Sequence, residues 1–375
     1  MGLDIKTWSE EILRKIDQKI EAQCGRLDGI IPYISENGRY TDVGEENLSW
    51  WTNGFWGGIL WQLYHATGKD IYRNHAQALE VRLDQALEDY ENLHHDVGFQ
   101  WLHTAVANYR LTGNERSKVR GMHAANLLAG RYNPSGKFIN AWNAERSGWM
   151  IIDCLMNLPL LHWGKEVAGL PHLAFIAKEH ADTTLRVLLR PDGSSHHIGV
   201  MDVESGELVK SLTGQGFAPN SSWSRGQAWA IYGFALSHVY TGEQQYLDAA
   251  KKVAHYFMGQ VSGTDFVPLV DFRAPKKPMN FDTAAGMIAT CGMLEISKHV
   301  PEHEKDFYFE FALKMIKSME AKYANWNIDE DSIISHGTVA YHDDDGSGIH
   351  VPIIYGDYFF IEAILRLQGK DFLIW

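Results

Sequence analysis

Two hydrophobic textures take turns along the chain. Segments of the first kind are apolar on nearly every face, open with small or polar residues and close at a short turn, often TG plus a polar residue. They are NGFWGGILWQLYHATGKD (53–70), DVGFQWLHTAVANYRLTGNE (96–115), RSGWMIIDCLMNLPLLHWGKE (146–166), SSWSRGQAWAIYGFALSHVYTGEQ (221–244), NFDTAAGMIATCGMLEISKHVPE (280–302) and YGDYFFIEAILRLQGKD (355–371). Apolarity all round is the mark of a helix buried on every side. Segments of the second kind, roughly 6–24, 72–93, 115–131, 172–190, 243–260 and 303–324, are amphipathic. KTWSEEILRKIDQKIEAQ and EQQYLDAAKKVAHYFMGQ carry apolar residues at i, i+3, i+4 and i+7 with charges opposite.

An amphipathic helix followed by a buried one, six times over, predicts twelve helices. Six such hairpins closed into a ring make an all-α (α/α)6 toroid whose inner helices line a central cavity. An open solenoid would alternate in the same way, but with less apolar inner helices. No Pro/Gly-rich linker or low-complexity tract interrupts the pattern, so residues 1–375 are expected to form a single domain. The strand-like pieces HHIGVMDV and ELVKSL predict a hairpin in a long loop around 196–211. Pro159, inside the third apolar segment, predicts a kink. Parallel inner helices would gather their N-terminal loops, and their positive dipole ends, around one mouth.

Composition narrows the partners. A net charge of −13 speaks against nucleic acid or an anionic membrane, both of which reward a basic face. Thirteen tryptophans exceed ordinary packing needs, and Trp is a common platform for stacking sugars. The three cysteines (Cys24, Cys154, Cys291) form no CxxC, so neither a disulfide framework nor a zinc site is indicated and a reducing compartment fits. The N-terminus is charged and lacks an apolar signal core, and there is no 18-residue apolar run. These features predict a soluble cytoplasmic protein, taken to be a monomer or weak homodimer without metal or organic cofactor.

The chemistry collects at the starts of the apolar segments. Asp153 stands in GWMIIDCLMNLPLLHW (148–163), where an ionised carboxylate is costly unless paired. It is either a cap or paired core acid, or a catalytic acid with a raised pKa. HHD (94–96) makes Asp96 a natural helix N-cap, and a zinc role lacks supporting ligand spacing. Asp282 and Asp357 also open helices and are expected to be caps. Arg225 lies between Trp223 and Trp229 at the start of a buried helix, where a lone cation needs an anionic partner. Neither a GxSxG element nor a Gly-rich phosphate loop is present. Two carboxylates, aromatic walls and one arginine make a carbohydrate-site constellation.

HHDVGF (94–99), IIDCLMNLPLLHW (151–163), SSWSRGQAWAIYGFAL (221–236) and YGDYFFIEAILRL (355–367) resemble the unsaturated glucuronyl hydrolases, glycoside hydrolase family 88. The resemblance runs from the WTNGFWGGILW block to the C-terminus. It implies a hydrolase acting on oligosaccharides made by polysaccharide lyases, which carry a 4,5-unsaturated uronic acid at the non-reducing end. Such enzymes hydrate the C4=C5 vinyl ether and leave the anomeric carbon alone. The resemblance implies Asp153 as proton donor and water activator, and Asp96 as the second catalytic aspartate. Greasy neighbours and an ionised Asp96 would then raise the Asp153 pKa. Trp51 and Trp142 match sugar-stacking positions, while His197, Gln215, Trp223, Arg225 and Trp229 match substrate-contacting ones. Arg225, with His197, is implied to meet the uronate carboxylate or ring hydroxyls.

Three departures qualify the match. Asn53 replaces an acid in the W-T-D-G-F-W block, and Gly214 replaces the histidine of H-Q-G. The loop HDDDGSGIHVP (342–352) lacks the lysine of members that take sulfated fragments, so unsulfated, glycosaminoglycan-type substrates are expected. Two rival activities remain: a toroidal sugar epimerase using His94, His95 and His197, and a non-catalytic carbohydrate binder stacking sugars on Trp51 and Trp142.

Overall fold

The computed structural model describes residues 2–375. Twelve principal helices alternate as the pattern predicts. The amphipathic, outer ones are α1 (Gly2–Arg26), α3 (Asp70–Arg82), α5 (Glu115–Ala129), α7 (Pro171–Val187), α9 (Gln244–Val261) and α11 (Glu302–Tyr323). The inner ones are α2 (Phe55–Thr67), α4 (97–112), α6 (Leu158–Ala168), α8 (Ser224–Thr241), α10 (Thr283–His299) and α12 (Ile354–Leu367). Inner helices pack on one another in sequence, and α12 packs back on α2, so the ring closes as an (α/α)6 toroid. Nearly every residue of α8 and α10 is buried, whereas α9 buries one stripe. This difference is the apolar texture of the sequence turned into position.

The hairpin expected around 196–211 gains a third strand. β1 (Trp149–Ile151) pairs antiparallel with β2 (Ile198–Met201), which pairs with β3 (Leu208–Leu212). The third apolar segment is therefore not one long helix. It runs as β1, then a 3₁₀ turn over Ile152–Asn157, then α6. Pro159 kinks nothing: it stands in the first turn of α6, where its missing N–H has no intrahelical partner to lose. Among the described residues, no helix is long and apolar enough to cross a membrane.

Candidate active site

Contacts join the N-terminal ends of all six inner helices at one mouth. Trp51, before α2, lies 5.1 Å from Tyr355 of α12. The Arg225 guanidinium of α8 lies over Tyr355 at 5.3 Å and donates from Nη1 to Asp282, the cap of α10, at 2.6 Å. Asp96 at the head of α4 and Asp153 before α6 meet through Asn157, whose Nδ2 donates to Asp96 Oδ1 at 3.3 Å and to the Asp153 carbonyl at 3.5 Å.

The small sheet aims the first carboxyl. Pairing of Ile151 with Ile198 is followed by a hydrogen bond from Ile152 N–H to the His197 carbonyl at 3.1 Å, so Asp153 and His197 leave the sheet side by side. His197 Nε2 then stands 3.8 Å from Asp153 Oδ1. Burial, helped by the Arg225 charge, drops the His197 pKa to about 3, so the imidazole is neutral and the contact is no ion pair. Asp153 Oδ1 accepts no hydrogen bond, and 15% of the side chain remains exposed. Desolvation raises its pKa to about 7 against the opposing pull of Arg225.

Asp96 occupies the N-cap position of α4, yet its side chain caps nothing. Asn157 does the capping: its Oδ1 accepts the Phe99 N–H at 2.9 Å. This frees the Asp96 carboxyl for the mouth, and Gly98 permits it, since a Cβ there would lie 2.5 Å from Asn157 Oδ1. Burial first, and then the charge of Asp153, raises the Asp96 pKa well above the carboxylate range, while Asn157 pulls the other way. Burial and Asp153 thus both oppose the ionised form of Asp96 that the sequence reading expected. Both carboxyls are raised.

His94 and His95 flank Asp96, each with a ring nitrogen 3.4 Å from its Oδ2. Burial lowers His94 to about 4 and His95 well below the ordinary histidine value. The three side chains offer ligand atoms within 4.8 Å of one another, one donor short of a closed tetrahedral zinc site.

The other expected contacts divide. Trp51 and Trp142 are half-buried, and Trp142 lies beside His95 and Trp149. Trp223 stacks on His197 with ring centroids 4.2 Å apart. Gln215 donates to the Val339 carbonyl at 3.0 Å and so ties this wall to the 338–341 segment. Trp229 is fully buried between Phe99 and Phe359 and presents no surface to the mouth. Arg225 is 0% exposed, and its Nη atoms are taken by Asp282 and by the Thr338 and Val339 carbonyls, which leaves only Nε without a partner. The lone cation has its counter-charge inside the protein. Asp282 is both cap and counter-ion, accepting the Ala285 N–H. Asp357 is no cap: it accepts the Ile333 and Ile334 N–H groups, and burial raises its pKa to about 6. Asn53 donates to the Asn47 and Leu48 carbonyls, as a carboxylate could not.

Asn157, which bridges Phe99, Asp96 and Asp153, is the residue of this site that sequence reasoning passed over. Its signal was its spacing, four residues after Asp153 in a segment otherwise apolar. A cavity of about 330 Å³ opens beside His197, the neighbour of Asp153, and is lined by Trp142, Arg146, Trp149, His197, Gly214 and Gln215 among others. A larger one, about 860 Å³, lies away from the paired carboxyls against α5, between Leu87, Tyr90, His123 and Arg131. The chemistry selects the smaller.

Residues 26–264 match the family model described as Glycosyl Hydrolase Family 88. The chain is 36% identical over 346 residues to the unsaturated glucuronyl hydrolase of Bacillus sp. strain GL1, covering 90% of each chain. It is 33% identical to an unsaturated chondroitin disaccharide hydrolase of Streptococcus pyogenes, covering 86% of this chain and 82% of that one. Its fold superposes on the crystal structure of the Bacillus sp. GL1 enzyme with a TM-score of 0.88 at 34% identity, covering 96% of each. On the unsaturated glucuronyl hydrolase of Streptococcus agalactiae the TM-score is 0.91 at 29% identity, covering 99% of this chain and 94% of the other. The toroid, the paired carboxyls at its mouth and these likenesses agree: the chain belongs to glycosyl hydrolase family 88.

Proposed function

We propose that the protein releases 4,5-unsaturated uronic acid from the non-reducing end of lyase-generated oligosaccharides by hydrating the C4=C5 vinyl ether. The observation that carries this is Asp153, a carboxyl 3.8 Å from His197 of the cavity wall, with a pKa raised to about 7 and an oxygen that accepts no hydrogen bond. Protonating carbon needs an acid that still holds its proton near neutral pH. Asp153 gives its proton to C4, and C5 becomes an oxocarbenium ion with the ring oxygen. Water adds at C5 and passes a proton to the Asp153 carboxylate, which restores the acid. The hemiketal then opens to a C5 ketone, and the hemiacetal left at C1 expels the next sugar.

Asp96, unburdened by capping, hydrogen-bonds a sugar hydroxyl. Trp51 and Trp142 carry sugar faces, and His197, Trp223 and Gln215 line the uronate. Arg225 acts from behind the wall as a positioning residue, holding the 338–339 backbone and tempering Asp153. The whole ring, 1–375, works as one catalytic domain, as a cytoplasmic monomer or weak homodimer acting on glycosaminoglycan-type fragments. The epimerase reading is disfavoured because burial holds His94, His95 and His197 neutral, leaving no imidazolium as acid.

The test is a mixture with an unsaturated chondroitin disaccharide, followed by the ultraviolet absorbance of the double bond. Loss of absorbance with release of free hexosamine is the expected result. Binding without loss would mean a lectin, and an isomer with its ring intact an epimerase.

A further inference from the structure

Three arginines stand near the mouth, and two of them are spent. Arg225 is held by Asp282 and two carbonyls. Arg131 donates to the Asn140 carbonyl, Asn143 Oδ1 and the Ala141 carbonyl. Arg146 differs. Its guanidinium lies over the rings of Trp142 and Trp149, at 5.2 Å and 5.5 Å from their centroids, and makes no ion pair or hydrogen bond with any described residue. It is exposed, and it is the one Lys or Arg lining the 330 Å³ cavity beside His197.

We propose that Arg146 forms an anion-binding subsite at the outer end of this cavity, taking a carboxylate or sulfate ester on the sugar that leaves. The proposal deepens the function inferred above and rests on it. The unsaturated ring must bring C4 to Asp153, which stands 3.8 Å from His197. The next sugar then extends outward along the lining, toward half-buried Trp142. A sugar face laid on Trp142 brings its substituents to the cation packed on the same indole.

The arrangement suits the task physically. Two indole faces, meeting edge-on at 80° with centroids 5.8 Å apart, hold the guanidinium, so less side-chain freedom is lost on binding. Its planar fork matches a carboxylate or sulfate in two parallel hydrogen bonds. Gly214, without a side chain, keeps the cavity open beside His197. The acidic loop is less of an obstacle than its composition suggests. Asp343 accepts the Gly346 and Gly348 N–H groups, and Asp345 accepts that of Ser347, so two of its three carboxylates are turned into their own loop.

The experiment compares three unsaturated disaccharides: one with a neutral second sugar, one sulfated on that sugar, and one whose second sugar is a uronate. kcat and KM are measured for the wild type, Arg146→Ala, Arg146→Gln and Arg146→Lys. One charge-assisted contact corresponds to about tenfold, so the kcat/KM preference for anionic over neutral substrate should fall about tenfold in Arg146→Ala and Arg146→Gln. The change should lie in KM, with partial recovery in Arg146→Lys. A drop confined to the sulfated or the uronate substrate identifies which anion is bound. A preference ratio unchanged within twofold would overturn the subsite while leaving the function intact. If the wild type consumes none of the three, the function fails instead. Calorimetric binding of the same disaccharides to Asp153→Asn and Asp153→Asn/Arg146→Ala then still decides the subsite, by whether the anionic preference vanishes.

Discussion

Asn157 accepts the Phe99 N–H at 2.9 Å and donates to Asp96 Oδ1 at 3.3 Å, so a residue from the third inner segment caps the second inner helix. That exchange leaves Asp96 at a cap position with its carboxyl free. Asn157→Ala should leave the Phe99 N–H unsatisfied and lower stability by about 1–3 kcal/mol. It also removes the donor that restrains the Asp96 pKa. Activity should therefore fall and the pH profile should move, whereas a purely structural role would lower stability alone. Urea unfolding and a pH series of kcat/KM check both halves.

Gly98 lies against this bridge. Gly98→Ala would force a Cβ within 2.5–2.9 Å of Asn157 atoms, including its Cα. Overpacking of this kind costs roughly 1–3 kcal/mol, and the displaced Asn157 should take Asp96 with it. The expected outcome is a lower Tm together with a lower kcat, measured by calorimetry and steady-state kinetics.

Asp153→Asn should fold and lose activity by about a thousandfold or more, because an amide in the place of the acid cannot protonate carbon. In the wild type, kcat/KM should fall as pH rises through about 7, where Asp153 loses its proton. The linkage to stability has a definite sign. A carboxyl raised in the fold contributes fully below the ordinary carboxylate pKa, and that contribution is lost as pH climbs to about 7. Asp153→Asn should therefore be more stable than the wild type at pH 8, by roughly 2 kcal/mol or more at about 1.4 kcal/mol per pK unit. Equal midpoints at pH 8 would contradict the raised pKa.

Arg225→Ala is primarily a stability variant. Both side chains of the Arg225–Asp282 pair are 0% exposed, so removing the cation strands a buried carboxylate. The expected cost is about 3–5 kcal/mol, and Arg225→Met/Asp282→Asn should recover much of it. A variant of full stability with a raised KM would show instead that the guanidinium faces substrate.

The architecture was legible because burial writes itself into helical periodicity. Segments apolar on every face had to be inner helices, and six of them closed a ring. Asp153 was legible for the same reason: an acid in an apolar run is either paired or poised. Where local sequence misled, it counted hydrogen bonds only along the chain. Asp96 has every local mark of a cap, yet Asn157, 58 residues further on, takes the Phe99 N–H. Arg225 looked like a cation awaiting an anion, because Asp282 is its neighbour only in the closed ring. Trp229 shares its segment with Trp223, but one helical turn and a half rotates it into the core.

By itself, the sequence determined which helices are inner and outer, that chemistry gathers at their N-terminal ends, and which acid is held in greasy surroundings. Periodicity and composition are properties of neighbours along the chain. Tertiary structure alone decided which carboxyls are free, which arginine is spent on an internal counter-ion, and which is left open over two indoles. The capping and the counter-ion are matters of partnership between residues 50 or more positions apart, and partnership sets both charge state and access.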